Sequence, residues 1–397
     1  MWFFQQYCRY LNVMRAGQGI IVISITLLML GVVMVNSAGM RVSIEEPAMF
    51  KQMLLSKPTL LACLAMIAMF IGSKFPIHWL ELRVIKIPLI LWLLPFSLLL
   101  LIAVYLPGIG KEVNNANRWV DIGGLTFQPS EVAKWAMVVI TAWWGATRLE
   151  NMKLYVRGFL PPIAVVGVIT AIIAVEDLGT AVLIFTTACI IFFAAGCKKL
   201  HFASFLPFAF CGFIFAIYTS PYRIARLQTY LHPFDDPERS GYHILQSMST
   251  ISSGGLSGLG LGNGTHKFGY LPEDTTDFIF SVICEELGIF GAVAVASLFL
   301  GLVTMGVIVI HKTKSRFNRL LVLGIITTIG LQAAMNMLVV TALIPTKGIA
   351  LPLVSNGGTG WLLTALCIGL VDAIDRRNQQ INPIRTYQYS TTSASHA

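Results

Sequence analysis

Asp277 is the residue of this chain best placed for acid–base chemistry. It follows Thr275 and Thr276 and stands where a long apolar run, beginning Phe278-Ile279-Phe280, sets in. An aspartate there has two uses. It can cap the coming helix by accepting hydrogen bonds from free N–H groups. Either threonine could cap equally well, which leaves Asp277 able to act as a general base on a substrate hydroxyl within hydrogen-bond reach. Six further charges lie inside or at the edge of apolar runs: Glu131 and Lys134, Glu176 and Asp177, and Glu285 and Glu286. Charges in such places are costly unless paired or functional. Glu131 and Lys134 are three residues apart, hence on one helix face. They read either as an internal ion pair that locks packing or as part of a polar pocket.

Two segments rich in helix breakers complete the set. Gly254 to Gly264 is glycine-rich, but it has no following Lys-Ser/Thr and no strand–loop–helix setting, so it is not a nucleotide loop. Its glycines are expected to let backbone pack close to a substrate or a helix. From Leu343 to Thr359, prolines and glycines interrupt the helical period and predict a re-entrant or looped region in which Lys347 and Ser355 face a polar site.

The elements that must position these groups follow from composition. The chain has 397 residues, 56% hydrophobic and only 12% charged. A soluble protein carries about twice that charge fraction. Apolar runs near 18–38, 53–72, 86–107, 131–147, 159–175, 178–196, 202–220, 278–310, 320–343 and 350–372 predict an all-α, polytopic membrane protein of about ten helices. Of the Lys and Arg between the runs, seventeen fall on the side that holds both ends of the chain and ten on the other, so both termini are expected in the cytoplasm. The outer side then carries loops near 107–130, 221–277 and 344–356, and nearly all the charges named above sit at that side. The net charge of +9 is spread between apolar runs and points to membrane topology, not to nucleic acid.

Arg9 and Arg15 precede an apolar run, as in a secretory signal. That run is long, and Val35-Asn36-Ser37-Ala38 is a poor cleavage site, so a retained first helix is expected. The seven cysteines show no metal-ligand spacing and read as packing residues. Residues 1–377 form one transmembrane domain, and the polar, Ser/Thr-rich stretch 378–397 reads as a disordered cytoplasmic tail.

Four segments together resemble the SEDS family (shape, elongation, division, sporulation) of bacterial cell-wall polymerases. They are Asn117-Arg118-Trp119 with Gln128-Pro129-Ser130-Glu131-Val132-Ala133-Lys134, then Glu176-Asp177-Leu178-Gly179-Thr180, then Gly269 to Gly288, and last Pro345-Thr346-Lys347-Gly348 with Pro352-Leu353-Val354-Ser355. Thr346-Lys347-Gly348 and Asn263-Gly264 with Lys267-Phe268-Gly269-Tyr270 are closer to the division-type than to the elongation-type members. Four positions depart from the family pattern: Asp274 stands where it has Ala, Thr275 where it has His, Asn356 where it has Tyr and Thr359 where it has Ser.

The resemblance implies a glycosyltransferase that polymerises lipid II and releases undecaprenyl pyrophosphate. Asp277 matches the family's catalytic position. Arg118, Lys134, Lys347 and Ser355 become candidates for binding the pyrophosphate, with Glu131, Asp177, Glu273, Glu285 and Glu286 as a supporting network. No dedicated metal site is expected; a divalent cation such as Mg or Mn would be held with the substrate pyrophosphate. The implied partners are lipid II, the growing undecaprenyl-linked strand, membrane lipids, a class B penicillin-binding protein carrying the transpeptidase, and other division proteins. The implied place is the bacterial cytoplasmic (inner) membrane, at the division septum. A lipid II flippase and a non-catalytic division scaffold are the rival readings.

Overall fold

The computed structural model describes residues 15–39, 56–81, 83–84, 87–108, 110–113, 116–122, 125–148, 150–237, 241–265 and 275–380. Glu273, Lys267, Cys8, Arg9 and the predicted tail beyond Gln380 lie outside them. In chain order the helices are α1 Ala16–Ala38, α2 Lys57–Lys74, α3 Leu89–Ala103, α4 Pro129–Thr147, α5 Leu160–Glu176, α6 Leu178–Ala194, α7 Lys199–Tyr218, α8 Pro221–Leu231, α9 Tyr242–Ser253, α10 Ile279–Lys312, α11 Arg316–Val340 and α12 Thr359–Gln380. Each predicted run meets one of them, and α8 and α9 fill the longest predicted loop.

Six helical stretches of the described chain are long and apolar enough to cross a bilayer: α1, α2, α5 with the turn before it, α7, α10 and α11. Helices α3 and α6 are apolar but shorter. Helix α4 carries Glu131 and Lys134 inward, and α12 carries Asp372, Asp375, Arg376 and Arg377, which lowers the hydropathy of both. Helix starts follow ordinary rules. Proline occupies the first turn of α2, α4, α5 and α8, where its missing N–H has no partner to lose.

Packing uses small residues, as expected where lipid gives no hydrophobic drive between helices. Helices α2 and α12 touch backbone to backbone. A Cβ on Gly72 would stand 2.3 Å from the Leu366 carbonyl oxygen, and one on Gly369 2.2 Å from that of Met69. Helix α1 is part of the bundle: its Gly31 admits the main chain of Leu353 and Val354. Helix α7 is the outlier, with only His201 buried and a face of exposed Phe side chains.

Four expectations change. The predicted span 278–310 is not one helix: α10 breaks at Gly288, whose φ of 66° and ψ of −163° leave the helical region. The glycine-rich segment folds onto that break, the helix-packing use of its glycines. The last helix begins only at Thr359, not near 350, and residues 350–358 belong to the looped region expected from Leu343 to Thr359. The first outer loop contains an antiparallel sheet of β3 Gly110–Val113, β4 Ala116–Ile122 and β5 Leu125–Phe127, after a two-residue ladder of β1 Arg83–Val84 with β2 Ile87–Pro88. The predicted tail starts too early: α12 runs to Gln380, and Asn378 donates to Thr313 Oγ1 at 2.8 Å.

Candidate active site

The three predicted outer loops and the α5–α6 turn meet at one end of the bundle around a cavity of about 200 Å³. Arg118 of β4, Glu131 of α4, Asp177, Asp277, Gln332 of α11 and Ser355 all line it. These groups are far apart in sequence, and convergence of this kind marks a default binding site.

Asp277 does not stand at the cap position of α10. That position is taken by Phe278, whose side chain makes no capping hydrogen bond. The Asp277 carbonyl oxygen is held by Asn336 Nδ2 at 2.8 Å. Its carboxylate lies against Gly348: a Cβ there would be 2.8 Å from Asp277 Oδ2 and 3.9 Å from Arg118 Nη1. Glycine at 348 therefore lets the loop pass beside both the carboxylate and the guanidinium. Arg118 is anchored through Nε and Nη2, which donate to the Glu176 carbonyl oxygen at 3.0 and 2.5 Å. Asp177 caps α6, accepting from Thr180 N at 3.1 Å and Thr180 Oγ1 at 2.6 Å.

Glu131 and Lys134 combine the two readings weighed above. Lys134 is 1% exposed. Its ammonium lies 2.8 Å from both Glu131 carboxylate oxygens and 2.9 Å from Gln332 Oε1. Lys134 is not among the cavity-lining residues; it stands beneath Glu131 and supports it from the interior. Lys134→Met should strip the half-buried Glu131 carboxylate and the buried Gln332 amide of their partner and destabilise the fold by about 3 kcal/mol. Thermal unfolding in detergent measures this, and a wild-type midpoint would refute the supporting role.

Ser355 is buried on the cavity wall. Its Oγ accepts from Leu351 N at 2.6 Å and its own N donates to the Leu351 carbonyl at 2.9 Å, closing the turn that carries the loop past the site. Lys347 sits beside the cavity and not in its lining. Its Nζ is 5.8 Å from the centre of the Phe213 ring of α7. Burial pushes its pKa down; Asp177 opposes this, and Arg223 and Arg226 add to it.

Glu285 and Glu286 stand away from the cavity. Both are fully buried in the half-helix that precedes Gly288. Glu285 Oε1 accepts from Thr265 N at 2.8 Å, and the Glu286 carboxylate from Ser37 Oγ at 2.8 Å. They join the glycine-rich segment and α1 to α10 rather than lining the site.

Several contributors carried no assignment in the sequence. Arg223 donates to the carbonyls of Ala216 and of Ala174 and Val175, and Arg226 to that of Thr346 at 3.0 Å, so α8 staples the end of α5 and the Lys347 turn in place. Their only signal was two arginines three apart outside an apolar run. Gln332 and Asn336 were hidden inside α11; two amides one turn apart in an apolar helix were the available cue. Thr275 and Asn356, two of the departures from the family pattern, meet in space: Asn356 N donates to the Thr275 carbonyl oxygen at 2.9 Å.

The sequence matches the profile of the FtsW/RodA/SpoVE family, described as cell cycle protein, over residues 18–380. It is 36% identical over 365 residues to the "Probable peptidoglycan glycosyltransferase FtsW" of a Geobacter species, an alignment covering 90% of this chain and 96% of that protein. To the "Stage V sporulation protein E" of Bacillus subtilis it is 33% identical over 361 residues, covering 90% and 96%. Among solved structures, one reported as "Structural coordination of polymerization and crosslinking by a peptidoglycan synthase complex" superposes with a TM-score of 0.71 at 25% identity, covering 91% of this chain and 98% of that one. The rod shape determining protein RodA of Thermus thermophilus shares the fold, with a TM-score of 0.60 at 22% identity over 91% of this chain and 96% of its own. A match that runs through nearly every described helix, with a third of residues identical in relatives of similar length, places this chain in the FtsW/RodA/SpoVE family of cell cycle proteins, the SEDS family its motifs resemble.

Proposed function

We propose that the protein is a peptidoglycan glycosyltransferase of the bacterial inner membrane, joining lipid II disaccharides into glycan strands with release of undecaprenyl pyrophosphate. The observation that carries the reading is the Asp277 carboxylate beside the Arg118 guanidinium on one cavity at one end of a membrane-spanning bundle. Relatives named peptidoglycan glycosyltransferase support it. So does the place of the cavity, at the end of the bundle where the predicted outer loops meet. A flippase needs a polar path through the membrane.

In this reading Asp277 takes the proton from the 4-hydroxyl of the acceptor sugar as its oxygen attacks the anomeric carbon of the donor. The bond from that carbon to the pyrophosphate oxygen breaks, and undecaprenyl pyrophosphate leaves with the electron pair. Fixed positive charge near the leaving group stabilises it as charge develops. Arg118 is placed for this, and Lys347 beside it. Among the described residues no group of three or more His, Cys, Asp or Glu gathers as a metal site, and no step is derived through a metal. The cavity faces the outer side, both termini the cytoplasm. A class B penicillin-binding protein supplies crosslinking, and the division-type motifs favour work at the septum, with other division proteins.

The lowered pKa of Lys347 has a consequence for binding. Its charge is present below its pKa and lost above it, so substrate affinity should fall as pH rises, starting below the usual lysine range. Lys347→Arg should keep the charge and push that alkaline limb upward. Lipid II binding measured from pH 7 to 10 checks this; identical limbs in both proteins would remove Lys347 from substrate binding.

The direct test is strand formation from purified lipid II by the reconstituted protein with its penicillin-binding partner. Strands detected by gel establish the activity. Their absence from a sample that binds both lipid II and partner would favour the flippase or scaffold.

A further inference from the structure

Gln332 and Asn336 of α11 are spaced i, i+4 and so share one helix face, the face toward the cavity. Both are buried, at 9% and 1% exposed. Asn336 Nδ2 donates to two main-chain carbonyls, those of Asp277 at 2.8 Å and Ile349 at 2.7 Å. Gln332 Nε2 donates to the Ala350 carbonyl at 2.9 Å, and its Oε1 accepts from Lys134 Nζ at 2.9 Å. Two neutral side chains thus tie together three pieces of chain: the segment carrying Asp277, the segment following Lys347 and Gly348, and the Glu131–Lys134 pair of α4.

We infer that Gln332 and Asn336 are positioning residues, which set the Asp277 carboxylate over the cavity at a fixed spacing from the 348–350 loop and from the α4 ion pair. The inference rests on the glycosyl-transfer reading above. Buried as it is, Asn336 has no water to replace it, so its loss leaves two carbonyls without their donor and frees the backbone at 277. A shift of about 1 Å in a reacting group can cost a factor of about 10² in rate. The amide of Asn336 bonds main chain only, so its loss acts through the backbone at Asp277 and Ile349 and removes no side chain that lines the cavity.

A merely structural role would lower the number of folded molecules without changing what each one does. The test is therefore made on Asn336→Leu and Gln332→Leu in the full chain with its penicillin-binding partner. Strand formation from lipid II is measured per lipid II-binding molecule, and unfolding midpoints are recorded in detergent. Expected are a kcat lower by about 100-fold for Asn336→Leu and about 10-fold for Gln332→Leu, with KM within about twofold of wild type. A loss that only tracks the fall in binding-competent molecules overturns the inference. So does wild-type kcat in either folded variant. Should Asn336→Leu fail to fold, Gln332→Leu decides. If wild type forms no strands, the glycosyl-transfer reading falls and this inference with it; if wild type polymerises while the variants keep its kcat, the inference alone falls.

Discussion

Asp277→Asn lowers strand formation by about 10³ while lipid II and the partner still bind. The magnitude is that of removing a general base, about 10²–10⁴. The substitution keeps the side chain's shape beside Gly348, where the carboxylate lies. It also leaves the main-chain bond to Asn336 in place, because that bond uses the carbonyl oxygen of residue 277. The variant therefore separates proton abstraction from architecture. The measurement is strand length and yield on a gel, beside lipid II binding and co-purification of the partner. Activity within tenfold of wild type would take the base away from Asp277 and leave, among the described residues, Glu131 and Asp177 as the remaining carboxylates on the same cavity.

Gly288→Ala is the second large expectation, and it concerns folding. Gly288 has φ 66° and ψ −163°, a conformation essentially reserved for glycine, with strain of about 1–3 kcal/mol for other residues. A Cβ there would also stand 2.4 Å from Gly258 N and 2.4 Å from the Leu256 carbonyl oxygen, both main-chain atoms that cannot rotate away. The break at Gly288 is where the glycine-rich segment supplies hydrogen bonds the helix has lost. Leu259 N donates to the Glu285 carbonyl at 2.9 Å and Gly260 N to that of Glu286 at 3.0 Å, while Ile289 N donates to the Gly255 carbonyl at 3.1 Å. Broken backbone at membrane depth is tolerated only where such partners exist. Destabilisation of about 3 kcal/mol or more is expected from strain and displaced loop together, read as a lowered unfolding midpoint in detergent. A wild-type midpoint would mean that α10 can run straight through position 288 and that the loop is dispensable.

The two predictions divide the site into a reacting group and the frame that holds it. The frame extends further than the cavity lining. Lys134 works from beneath, Arg226 from α8, and Glu286 through Ser37 of α1.

The apolar runs of the chain by themselves determined the membrane class and a helix at each run, because in lipid a run of about twenty apolar residues has no alternative to a helix. The resemblance to the SEDS motifs singled out Asp277, Arg118, Glu131 and Asp177 as site residues, and these do share one cavity. Only the tertiary structure decided which charges reach that cavity and which stay behind it. Lys134 turned inward to Gln332, and Glu285 and Glu286 turned to the glycine-rich segment and α1. Helical phase alone does not tell whether the facing neighbour is substrate or another helix. The break in α10 was equally hidden. Gly288 sits in a long run with no helix breaker directly on either side of it, and its positive φ becomes favourable only once the segment around Gly258 has folded against it to take up the freed hydrogen bonds.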